Sequence, residues 1–306
     1  VWNVVGDRQG GVWLGTDAGL AQLDPGAQAP RLESELAGLA ITSLFEGRDG
    51  SLWIGVRGRG LLRSQGGRLE TVAGREQLGT DTIQAITEDR RGRLWLGGLQ
   101  SGLVVREADG TYRRLGGGTP LAVASVWALT ETPRGDLLAG TDGAGLWRVE
   151  GDTVAPVAPD LLGTLTITTL HGDEDGSLWI GTYGDGLHYL HPDGRLTAVR
   201  RRDGLFDDVV LSLLDDERGS LWISCNRGVF RVPKAEMLEL IAGRRETVVS
   251  EAFGKPDGMR SAECNGAFQP SAWQDAAGRL WFPTIEGVVA VDPEALLRNP
   301  VPPGVV

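Results

Sequence analysis

Histidine is scarce in this chain of 306 residues: His171, His188 and His191 are the whole set. His188 and His191 stand three apart in an extended stretch, so their side chains leave opposite faces and do not converge on one metal ion. His171 falls at the far end of its expected strand, away from the channel mouth, which argues against a histidine-dependent lyase. No metal or other cofactor is expected. No glycine-rich loop stands between a strand and a helix, as a nucleotide phosphate would require, and no serine occupies a strand-to-helix elbow. The 30 basic residues are scattered among 41 acidic ones, giving a formal charge of −11. Nucleic acid and anionic membrane surfaces are therefore poor partners. No run of eighteen apolar residues occurs, so no segment is expected to cross a bilayer as a helix. Only two cysteines are present, Cys225 and Cys264. They are ordinary buried thiols or, in an oxidising compartment, candidates for a disulfide between turns of adjacent repeats.

What the chain has in plenty is glycine, 46 residues, about twice ordinary usage. Much of it lies in one recurring phrase, best seen in GSLWIGTYGDGL from Gly176. With the tryptophan as marker, the copies fall at Trp13, Trp53, Trp95, Leu138, Trp179, Trp222 and Trp281, spaced 40, 42, 43, 41, 43 and 59 residues apart. Each copy strings together short apolar segments split by Gly/Asp turns, as in Ile167–Leu170, Leu178–Gly181, Gly186–Leu190 and Leu196–Val199. Runs of four to six residues rich in Val, Ile, Thr and Trp are strands, and four strands per period near 42 make a propeller blade. The expected fold is all-β: a seven-bladed propeller of four-stranded antiparallel blades. Its tryptophans wedge between blades, burying large flat rings. The charged turns around Asp89, Asp175 and Asp216 are expected to be solvated β-turns.

Blade six departs from the pattern. Pro233–Ala242, with Pro at its start, Gly243 after its end and Met237, Leu238 and Ile241 at helical spacing, is a short inserted helix. A strand over Glu246–Gly254 and a loop over Lys255–Pro270 follow, which explains the long final spacing. The propeller spans residues 1–293, and 294–306 is a tail leading to a following domain. The chain starts inside a strand and looks like a piece of something longer. Blade seven lacks a fourth strand, which either residues upstream of Val1 or the tail Pro302–Val306 must supply, because an open edge is a liability.

The phrase Asp175-Gly-Ser-Leu-Trp-Ile-Gly-Thr182 followed by Gly186-Leu187 resembles the two-component regulator propeller repeat. The stretch Asp257–Gly266, with Gly278–Thr284 and Gly287–Pro293, is similar to the last blade of such sensors. The resemblance covers nearly the whole chain. It implies the periplasmic region of a bacterial membrane receptor, with a small β-sandwich, a membrane helix and a cytoplasmic kinase or cyclase beyond it.

Turns between second and third strands, and the mouths of the innermost strands, differ most from copy to copy, and a fixed scaffold with variable loops commonly carries a binding site. Candidates on that face are Arg57 and Arg59, Gln100, Tyr183 with Asp185, and Arg227. At the channel mouth stand Trp2, Gln84 and Trp127, with Thr42, Thr168 and Leu211 at the aligned position. Rings that stack and polar groups that orient would suit a small polar or carbohydrate-like ligand; Trp2 and Trp127 equally suit the role of channel plugs. The function expected from all this is non-catalytic ligand sensing by a propeller that self-associates within a dimeric receptor. The alternative is a protein-interaction module without a small-molecule site; a propeller lyase comes last.

Overall fold

The computed structural model describes residues 1–27 and 29–296. Seven antiparallel sheets follow one another along the chain, each with its strands in sequential order. Blade five shows the pattern: Ile167–Gly172, Leu178–Thr182, Leu187–Leu190 and Leu196–Val199. Seven apolar cores occupy the seven junctions between blades. In each, the marker residue packs on the next blade, Trp95 against Leu129 and Leu137 for example, and Trp281 against Val4, Val12 and Leu14 of blade one. Trp95, Trp179 and Trp222 are at most 1% exposed. The copy without an indole works the same way: Leu138 packs on Ile167 and Ile180 of blade five.

The acidic turns are more than solvated loops. Asp89, Asp173, Asp216 and Asp275, each six residues before its tryptophan, accept the indole Nε1–H of Trp95, Trp179, Trp222 and Trp281 at 2.9 Å. Asp89 and Asp216 are 2% and 4% exposed, which corrects the expectation of solvated turns at those positions. Asp175 is exposed and closes its turn by accepting from Ser177, as a solvated Asx turn does. Blade four lacks both partners, having Thr132 where the aspartate would stand and Leu138 in place of the indole.

Turns between second and third strands share a face with the loops that enter first strands: Arg57 N–H donates to Ala40, Gly58 to Asp81, Tyr183 to Thr166 and Gly184 to Asp208. We call this the upper face. Near it, the first strands of blades two to five each carry one extra residue, a β-bulge at Thr42, Gln84, Trp127 and Thr168. A bulge re-aims its side chain and tightens the local twist.

In blade six the helix runs Lys234–Ile241, with Met237 and Ile241 buried, and the outer strand is Glu251–Phe253, shorter than the sequence suggested. Cys225 and Cys264 are free and buried. Cys264 N–H donates to the Cys225 carbonyl, yet the two side chains belong to different cores. Cys225 packs at the blade five–six junction and Cys264 at the six–seven junction, and no disulfide joins them in this structure. Burial pushes them up to about 11 and about 12 respectively. Blade seven has three strands among the described residues, Trp273–Gln274, Leu280–Thr284 and Gly287–Val291. The tail Pro302–Val306, one of the two sources expected for its fourth strand, lies outside them. Among the described residues, no helix is long and apolar enough to cross a membrane.

Candidate functional site: a plugged channel and its two cavities

The loop that interrupts the repeat enters the centre of the ring. Gln269 N–H donates to the Gln84 carbonyl, Leu44 N–H to the Gln269 carbonyl, and Val4 N–H to the Pro270 carbonyl. The Gln269 side-chain amide pairs both ways with Leu129, accepting its N–H at 3.0 Å and donating to its carbonyl at 2.8 Å. Ser271 Oγ donates to the Leu211 carbonyl. One segment thus meets the inner strands of blades one, two, three, four and six. It satisfies backbone groups there much as a sheet neighbour would.

This plug leaves a cavity on either side. The upper one, about 140 Å³, is lined by Trp127, Tyr183, Asn226, Glu263 and Asn265 among others. The lower one, about 240 Å³, runs along the inner strands of blades four to seven and is lined by Trp127, His171, Ser212, Phe268, Ser271 and Trp273 among others. Trp127 borders both, and its indole Nε1 is buried without an acceptor.

The nine residues expected to share one funnel do not converge. Trp127 and Tyr183 line a common cavity. Trp2 packs edge-on against Phe268 of the plug, ring centroids 5.1 Å apart, as a channel stopper would. Gln84 is buried, with its side-chain Oε1 unpartnered. Arg57, Arg59 and Gln100 are exposed in the turns of blades two and three. Asp185 is engaged inside blade five: His188 Nε2 lies 2.9 Å from Oδ2, and Arg200 donates to both carboxylate oxygens. Arg227 lies over the Phe206 ring, 4.6 Å from its centroid.

The lower cavity holds chemistry that sequence reasoning set aside. His171 is the penultimate residue of the first strand of blade five, with its Nε2 3.8 Å from Asp173 Oδ1. Lys234, the first residue of the inserted helix, places Nζ 2.7 Å from Asp173 Oδ1 and 2.6 Å from Asp215 Oδ2. Asp173 also holds the Trp179 indole through its other oxygen. Burial lowers the His171 pKa; Asp173 and Asp215 pull it up, and Lys234 pushes it down again. Burial would lower Lys234 as well, but its hydrogen bonds to the two aspartates outweigh it and raise its pKa, so the ammonium stays charged. His171, Asp173 and Asp215 each offer a ligand atom within 4.8 Å of the others, a spacing that would admit a cation. Lys234 already supplies positive charge between the two carboxylates. No spacing rule would have found this group, because Lys234 is 61 residues from Asp173 and arrives on the insertion.

A family model described as Two component regulator propeller matches residues 77–100 and 161–184, around the blade three and blade five markers. No curated protein matches the chain. Among solved structures, a streptogramin B lyase is 14% identical with a TM-score of 0.69, covering 94% of this chain and 91% of that one. A catalytically inactive histidine-to-alanine variant of virginiamycin B lyase from Staphylococcus aureus, with quinupristin, is 15% identical with a TM-score of 0.70, over 94% and 93%. The extracellular domain of a B. thetaiotaomicron protein assigned to a one component system is 17% identical with a TM-score of 0.59, over 95% of this chain and 45% of that one. The fold is thus a seven-bladed propeller related to the two-component regulator propellers, with the family signature in two of its repeats. The expectation of a non-catalytic sensing or interaction module is corrected. Two propellers matched over nearly their full length are lyases and a third, YCF48, is bound to D1 peptide; in this chain His171 lines the lower cavity with Asp173 and Asp215 close by, where no chemistry was expected.

Proposed function

We propose that the chain is an enzyme whose lower channel cavity is the active site, with His171 as general base. The observation that carries this is a half-buried imidazole, favoured in its neutral form by burial, lining a cavity beside a carboxylate pair neutralised by a fixed ammonium. A neutral histidine can accept a proton near pH 7. Lys234 keeps its proton and acts through charge: by offsetting Asp173 and Asp215, it stops their field from favouring the imidazolium. The reaction class is elimination, the class named for two similar propellers. The proton on carbon passes to the His171 imidazole, the bond to the leaving group breaks with its electron pair, and a double bond forms. About 240 Å³ lies below the ordinary range for a drug-sized ligand. The substrate therefore inserts one small group and leaves the rest outside.

Turnover of quinupristin and of a panel of β-substituted esters, followed by chromatography, tests this reading. His171→Ala is expected to lower kcat/KM by about 10²–10⁴-fold. The acid limb of the wild-type pH profile is expected below the ordinary histidine value, and Lys234→Met moves it upward by leaving two carboxylates to stabilise the imidazolium. Full turnover by His171→Ala, or no turnover of any panel member by the folded wild type, overturns the assignment.

A further inference from the structure

We infer that the upper cavity binds a small organic ammonium ion. This does not rest on the reaction proposed for the lower cavity. Two aromatic side chains, Trp127 and Tyr183, line a space of about 140 Å³, large enough only for a head group. Tyr183 is 56% exposed, a large ring kept at the rim with no apolar partner that would account for it. Glu263 is the sole charged residue of the lining, and no basic group pairs with it among the described residues. Arg227, next to the lining residue Asn226, is turned away onto the Phe206 ring and towards Asp207, and Arg260, three residues before Glu263, is exposed and makes no ion pair with it. Faces of Trp and Tyr attract a cation through the ring quadrupole, and a carboxylate at the mouth adds charge of the right sign. A phosphate or carboxylate ligand would meet Glu263 with no basic group to offset it.

The formal charge of −11 favours the approach of cations generally.

Isothermal titration of the intact chain with choline, tetramethylammonium and the neutral isostere 3,3-dimethylbutanol tests the inference. Choline and tetramethylammonium are both expected to bind, and the isostere about tenfold more weakly than choline. Tyr183→Ala and Glu263→Gln, both at positions that the fold does not need, are each expected to weaken choline about tenfold. His171→Ala should bind choline as the wild type does, which separates this site from the catalytic one. Equal binding of choline and the isostere overturns the inference. So does indifference to Tyr183→Ala and Glu263→Gln, or the absence of binding by either cation at millimolar concentration.

Discussion

The carboxylate of Asp89 holds four groups at once. It accepts the Trp95 indole at 2.9 Å, the Arg91 and Arg93 backbone N–H groups at 2.9 and 3.0 Å, and the Arg93 guanidinium at 2.7 Å. Burial alone would raise its pKa, but these hydrogen bonds outweigh it and hold the group below the usual aspartate value. A depressed folded pKa means that the stabilisation is complete above the unfolded pKa and is lost as pH falls through the folded one. Asp89→Ala is therefore expected to cost about 1–3 kcal/mol at pH 7, because the buried indole N–H loses its acceptor. The gap between variant and wild type should narrow as the pH falls through the depressed folded value. Urea unfolding at pH 7 and at pH 3 measures both, and a gap independent of pH would remove the carboxylate from the account. The role of the tryptophan is legible in the sequence, because an indole repeated at one spacing marks a ring buried at each junction of a repeat. The aspartate six residues earlier is visible as well, yet its position alone does not say whether it faces water or the ring.

Elements that obey the repeat are legible in the sequence; most of those that break it are not. Four strands per unit follow from alternating apolar runs and glycine turns. Four bulges do not, since one extra residue in Ile41–Glu46 or Val126–Glu131 leaves the apolar pattern intact while re-aiming Thr42 onto the Ile83 carbonyl of blade three and Trp127 into the channel. The expected funnel disperses for that reason. The plug is legible only as a loop, because its pairing depends on strands far away along the chain and on a side chain, Gln269, standing in for backbone. That substitution can be tested. In Gln269→Ala, Leu129 N–H and C=O lose their partner inside the channel, and the expected cost is about 2–3 kcal/mol. Gln269→Glu can still accept the N–H but cannot donate to the carbonyl, so it should fall between wild type and alanine variant. Chemical denaturation ranks the three proteins. A neutral Gln269→Ala would mean that the plug rests on the ring without fastening it.

Closure of the ring sets one junction apart from the other six. Between every other pair of blades a loop of chain joins the outermost strand to the next first strand. Among the described residues, blades seven and one are joined by contacts alone: the Trp281 cluster, the Asn265 side chain donating to the Val1 carbonyl, and Val4 N–H donating to Pro270. Trp95 and Trp281 are both buried and both hydrogen-bonded to an aspartate, so truncating either removes similar apolar area. Each alanine variant is expected to lose about 3–5 kcal/mol. The consequences differ with topology. Trp95→Ala loosens a junction whose two sides are tethered by chain, and unfolding should keep the slope against denaturant of the wild type. Trp281→Ala loosens the one junction that no stretch of chain spans among the described residues. Blades one and seven then open below the global transition, which lowers that slope and speeds amide exchange in Asn3–Gly6 and Leu280–Thr284 ahead of Leu94–Gly98. Matching slopes and exchange patterns in the two variants would mean that the plug, reaching the inner strands of five blades, already makes all seven junctions one cooperative unit.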